Sequence, residues 1–277
     1  MRVVVCLLIA SLAGCVSSSE APDDLNHVLA PEVLDVDFQE CTGSVAFAMR
    51  PFSAVNAYLP PGYEAEDAAV FFTQALGAPV PNVNQALFAL ILTDCTLSHT
   101  DRQEYLAVAW VFLKPPTADW MEGEADLNWY EWKRYSHGPE LPESLAQFHW
   151  EAEIGNITTG VISNPPYLAA RTWSMGENPE VFTMSHEGSG APISATGLYR
   201  TWNAHENGTT VYEFDLEASL LLGPGVCAAD PNHWTFDFIG GACGDRIVSL
   251  SPEIQYAAFT DLNLDGTFFF EPNRFVV

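Results

Sequence analysis

Apolar residues along this chain fall mostly into short runs separated by turn chemistry. Gln85–Cys95 and Tyr105–Leu113 stand on either side of the polar stretch Ser98-His99-Thr100-Asp101, which predicts a hairpin of largely buried strands. Glu180–Ser185, Ile193–Trp202 and Thr209–Leu222 continue the pattern, linked by Glu187-Gly188-Ser189-Gly190 and Glu206-Asn207-Gly208. Asn-Gly between apolar runs is a strong hairpin signal. Further strands are expected at Trp234–Ile239, Arg246–Leu250, Gln255–Phe259 and Thr267–Phe270. Helix is expected at Pro51–Tyr58, stopped by Pro60-Pro61-Gly62, and at Ala65–Leu76 and Pro142–Phe148. Strands joined by hairpins, with helices inserted early, predict a mainly β (α+β) chain. The expected architecture is an antiparallel β-barrel or sandwich with a few short capping helices, as one domain over residues 38–277.

The first residues carry a different signal. Met1-Arg2 precedes the apolar run Val3–Leu12, too short to span a bilayer and of the length of a secretory signal. It closes on Leu12-Ala13-Gly14-Cys15, which resembles a prokaryotic lipoprotein lipobox. The resemblance implies a signal peptide over residues 1–14, a diacylglyceryl group on the Cys15 sulfur, and a location in the cell envelope. The membrane partner would be reached through that N-terminal lipid, since two or three acyl chains anchor a protein stably. Residues 15–37, in which Cys15 is followed by Val16-Ser17-Ser18-Ser19-Glu20, read as a flexible tether.

Export changes the reading of the cysteines. Cys6 leaves with the signal and Cys15 carries lipid, so Cys41, Cys95, Cys227 and Cys243 remain, enough for two bridges with three connectivities. Cys227 and Cys243 both sit in glycine-rich turns, sixteen positions apart, and closing that loop is worth roughly 3 kcal/mol. Cys41 and Cys95 would then pair with each other.

Composition narrows the partners. The chain has 277 residues, 48% of them apolar, so there is ample material for a core. The net charge is −26, from 36 acids against 10 bases, and Lys114 and Lys133 are the only lysines. Such a surface repels phosphates, which excludes nucleic acid as a partner.

Ser44–Phe47, the segment from Pro51-Phe52 to Leu59-Pro60-Pro61-Gly62-Tyr63, and the paired strands around Cys95 and Tyr105 follow a strand–helix–hairpin order. The strand Trp129–Tyr135 and the helix Pro142–Phe148 come next. This order resembles the opening of the acetoacetate-decarboxylase-like barrel superfamily, over about half of the chain. The resemblance implies a barrel with an interior site. The decarboxylases use a Schiff-base lysine beside a second lysine in a Gly-x-Pro-Lys-Lys stretch, and Ile157–Arg171, where that stretch is expected, contains no lysine.

No compact catalytic motif stands in the chain, and the catalytic residues stay unknown at this stage. Lys133 is next to Arg134, and a neighbouring cation can activate a lysine. Strand alternation, however, places Trp129, Glu131, Lys133 and Tyr135 on one face, with Tyr130, Trp132 and Arg134 on the other. A structural pairing of Lys133 with Glu131 is the preferred reading, with Arg134 among the aromatic rings opposite. His99, His137, His186, His205 and His233 lie in turn-like segments and read as solvated, and no His-Glu-x-x-His or His-x-His occurs.

Asp261-Leu262-Asn263-Leu264-Asp265-Gly266-Thr267 follows the start of an EF-type calcium loop. Asp261, Asn263, Asp265 and Thr267 would be the ligands, and calcium is the one cofactor the sequence suggests. An Asp-Gly turn joining two strands is the plainer reading of the same residues. Together these features predict a lipid-anchored envelope protein binding a small apolar or amphipathic ligand inside a barrel. The alternatives are an acetoacetate-decarboxylase-like enzyme with displaced catalytic residues, or an adhesion or scaffold module.

Overall fold

A computed structural model describes residues 32–76, 83–97, 102–118, 120–150, 152–163, 169–175, 182–188, 193–206, 208–223, 225–229 and 254–272. The first strand, β1 (Glu32–Arg50), begins inside the segment expected to be tether and pairs with the last, β12 (Ile254–Pro272), from Glu32 opposite Phe270 onward. The expected hairpin forms as β2 (Ala86–Leu97) and β3 (Arg102–Leu113), followed by β4 (Leu127–Ser136) and the two-residue β5 (Glu153–Ile154). A smaller sheet contains β6 (Ile157–Ser163), β7 (Ala169–Met175), β8 (Phe182–Gly188) and β11 (Gly225–Ala229). The Asn-Gly signal is met by β9 (Ile193–His205) and β10 (Gly208–Gly223), paired from His205 opposite Gly208.

The large sheet runs β3-β2-β1-β12-β10-β9-β4-β5 and curls until β3 also pairs with β4. All of its contacts are antiparallel except β4 with β9 and with β5. The architecture is therefore the mainly β, barrel-like one that the alternation of runs predicts. Its strands read as continuous apolar runs because both faces are covered. The inner face holds Phe38, Phe47, Leu87, Phe112, Trp129 and Phe214, with Phe71 of helix α2 (Ala68–Leu76) among them. The outer face holds Phe88, Leu90, Val111, Tyr130 and Trp202 beneath Val55 of the one-turn helix α1 (Phe52–Val55) and Tyr63.

The helix ends show local chemistry overriding the apolar period. The expected start of α2 at Ala65 is wrong because Ala65 bridges to Leu113 in the sheet. Asp67 then stops the helix from extending backward. Its Oδ1 accepts the Ala69 amide at 2.8 Å, and its Oδ2 accepts the Asn84 amide at 2.7 Å, so one carboxylate caps the helix and ties down the chain leading to β2. Helix α3 (Glu140–Leu145) and a 3-10 turn (Ala146–Phe148) occupy the third helical segment.

Two strand expectations need correction. β8 and β9 do not form a hairpin, because β8 pairs with β7 and β11 while β9 pairs with β10 and β4. Gln255–Phe259 and Thr267–Phe270 are not separate strands either. The backbone from 254 to 272 is one strand, held on both sides by β1 and β10, with Asp265 opposite both Asp37 and Asp215. The Asp-Gly turn expected there does not form. Trp234–Ile239 and Arg246–Leu250 lie outside the described residues.

Candidate functional site

The curled sheet encloses a cavity of about 120 Å³. Its wall is mostly aliphatic and aromatic, with Trp110, Trp129 and Trp150 contributing three indoles. One charged side chain lines it, Glu131, and among the described residues no lysine, arginine or histidine does.

Glu131 owes its setting to an irregularity in β4. Opposite β3, Trp110 faces Glu131 and Ala109 faces Lys133, so Trp132 is the extra residue of a bulge. A bulge of this kind shifts the alternation by one. Glu131 before it and Arg134 after it therefore come to the same side, and Arg134 Nε makes an ion pair with Glu131 Oε1. Both are buried, at 4% and 5% exposure. Trp110 Nε1 donates to Glu131 Oε2 at 3.3 Å, and the Arg134 guanidinium lies 4.1 Å from the centre of the Trp150 ring. Burying two charges is favourable only when pairing and hydrogen bonds replace their water, and these neighbours supply that replacement.

The expected placement of Lys133 beside Glu131 is thus overturned. Lys133 is on the opposite side of β4, paired with Glu153 and 5.6 Å from the centre of the Tyr135 ring. Burial pulls its ammonium down to about 8. Lys114 pairs with Glu64 at 2.7 Å on the exposed surface. Neither lysine reaches the cavity.

His205, expected to be solvated, is half-buried beside His149. His149, at φ 53°, ends the 3-10 turn with its ring 4.2 Å from that of Phe270 and 5.5 Å from that of His205. His205 Nε2 is 3.0 Å from Thr210 Oγ1, which donates to the Phe148 carbonyl at 2.6 Å. Burial, then the charges of Arg134 and His149, lower the His205 imidazole to about 4. His137 is exposed and packs its ring 5.4 Å from that of Tyr105.

Cys41 and Cys95 are joined by a disulfide across β1 and β2, and Cys95 also lines the cavity. Glu40, at φ 52°, marks the irregularity that brings the two sulfurs together. Cys227 is on β11, while Cys15 and Cys243 lie outside the described residues. Asp261, Asn263, Asp265 and Thr267 are spread along extended β12. The backbone there pairs with β1 and β10 on both sides, with an irregularity at Asp261, and does not close into the loop that the calcium reading requires.

The eight-stranded sheet curled round an apolar interior, with short helices beside it, has the fold of solved acetoacetate-decarboxylase-like proteins. The solved structures that show it include the enduracididine biosynthesis enzyme MppR complexed with pyruvate, at 10% identity and a TM-score of 0.52, over 90% of this chain and 92% of that one. An acetoacetate decarboxylase-like enzyme from Sphingomonas wittichii RW1 is similar at 10% identity and a TM-score of 0.51, over 90% and 96%. The acetoacetate decarboxylase of Legionella pneumophila is similar at 9% identity and 0.51, over 89% and 90%. The chain matches no family model and no curated protein. Resemblance at this level of identity concerns the fold alone, and function must be argued from the site.

Proposed function

We propose that this chain is an acetoacetate-decarboxylase-like enzyme that works by proton transfer on a small molecule held in the cavity, without an imine. The observation that carries this reading is the replacement of amine by carboxylate. Glu131 lines the cavity, backed by Arg134, while both lysines lie elsewhere. Imine formation needs an amine at the substrate carbonyl. A carboxylate in a largely apolar wall can instead take a proton from a carbon next to a carbonyl and return it, the role of a general base. Arg134 positions the carboxylate, and the Trp110 indole fixes its second oxygen.

The sequence Leu12-Ala13-Gly14-Cys15 supports placing this enzyme at the cell envelope on a lipid anchor. The apolar lining favours a second reading, a barrel that binds its ligand without transforming it. Cyanoborohydride added in the presence of acetophenone, a ketone without a charge, tests the absence of an imine. The expected intact mass is unchanged, and an adduct on Lys114 or Lys133 would reject the proposal.

A further inference from the structure

The charge pattern of the cavity bears on what enters it. We infer that the occupant is a neutral molecule of about one ring, carrying a hydrogen-bond acceptor such as a ketone or aldehyde oxygen, and not a carboxylate. This rests on the reading of the cavity as the working site. Its size sets the first limit: about 120 Å³ is close to the roughly 150 Å³ of an engineered apolar cavity that holds benzene.

Charge sets the second limit. Arg134 is the cation nearest to the wall's carboxylate and is engaged by it. Arg200 pairs with Glu213 and donates to the Gly123 carbonyl at 3.0 Å, and Lys133 and Lys114 are paired with Glu153 and Glu64. His205, behind Arg134, is neutral at pH 7. An entering carboxylate would therefore meet Glu131 with no cation among the described residues of the wall to balance it, in a site where an unpaired charge is costly. The net charge of −26 adds a repulsive field outside.

Two polar groups at the wall set the third limit. Thr93 and Trp129 are 5% and 2% exposed and line the cavity, yet Thr93 Oγ1 and Trp129 Nε1 have no hydrogen-bond partner among the described residues. Buried donors of this kind are normally satisfied. An indole N–H can only donate, and a hydroxyl can donate as well as accept, so both suit an acceptor oxygen.

Equilibrium dialysis of the whole chain, against a detergent-only blank, with acetophenone, benzoate and toluene at pH 7 tests the inference. Acetophenone should bind at least about tenfold more tightly than benzoate, because benzoate brings an unbalanced charge. The Thr93→Val and Trp129→Phe variants should each keep toluene binding, and at least one should weaken acetophenone roughly two- to tenfold, the loss of one hydrogen bond. Toluene binding reports an intact cavity; should a variant lose it, the wild-type ranking of acetophenone over benzoate decides alone. Benzoate binding as tightly as acetophenone overturns the inference, as does acetophenone binding unchanged in both variants. Neutral selectivity without proton exchange at the ketone would sink the proposed enzyme activity and leave this inference standing.

Discussion

Glu131 and Arg134 form an ion pair inside the curled sheet although they are three positions apart on a strand, a spacing that regular alternation would place on opposite faces. Trp132 supplies the extra residue that brings them together. Trp132 keeps the outer face that alternation gives it, where its ring lies 5.2 Å from that of Tyr58 and 6.4 Å from that of Phe88, and Lys133 is the residue the bulge turns outward. One local irregularity thus exchanges the two cations of β4, bringing Arg134 to the carboxylate inside and leaving Lys133 outside.

Removing one partner of this pair should be much worse than removing both. Arg134→Met leaves a buried carboxylate without its cation, and a loss of about 3–5 kcal/mol is expected in urea unfolding. Adding Glu131→Leu to Arg134→Met should recover most of that loss. A double variant as unstable as the single one would mean that packing, and not charge, is at stake.

The Cys41–Cys95 disulfide closes a sequence separation of 54 residues. In the chain-entropy description such a link is worth about 4 kcal/mol. Cys41→Ala/Cys95→Ala should lower the urea midpoint accordingly, and reductant should then have no further effect at this bond.

His205 should make stability depend on pH. Its folded pKa, about 4, is below the ordinary 6.5, so the unfolded chain binds the proton first. The stabilising contribution is complete above about pH 6.5 and is lost as pH falls toward 4. Comparing urea midpoints of wild type and His205→Asn across that window isolates the effect, since the carboxylates are common to both. Parallel curves would show that His205 is not held neutral.

Cys15→Ser should move the protein from the membrane to the soluble fraction, because it removes the proposed site of acylation. Retention in the membrane would reject the anchor.

Much of the fold could be read from the sequence where a periodic signal met its own turn. β2–β3 and β9–β10 are hairpins with a polar or Asn-Gly link, and their apolar content matches strands covered on both faces. β12 is hidden in the sequence because Asp265-Gly266 carries turn chemistry, which pairing with β1 on one side and β10 on the other overrides. The start of β1 at Glu32 was hidden by its distance in sequence from its partner β12. The candidate site was hidden further, since nothing in Glu131-Trp132-Lys133-Arg134 distinguishes a bulge from regular alternation. The only hint was the mixture of charge and aromatic residues at every position, without a clear polar face. His205 differs from expectation for a related reason: turn composition signals exposure, yet His205 ends β9 beside His149, whose ring packs on Phe270.

The most direct measurement is α-proton exchange of acetophenone in deuterated buffer, followed by NMR with wild type and Glu131→Gln. The amide keeps the size of the side chain and can still accept from the Trp110 indole, but it cannot take a proton as the carboxylate does. Wild type should deuterate the methyl group well above the buffer rate, and Glu131→Gln should fall back to that rate. Equal exchange by the two proteins, or none by either, would contradict the account.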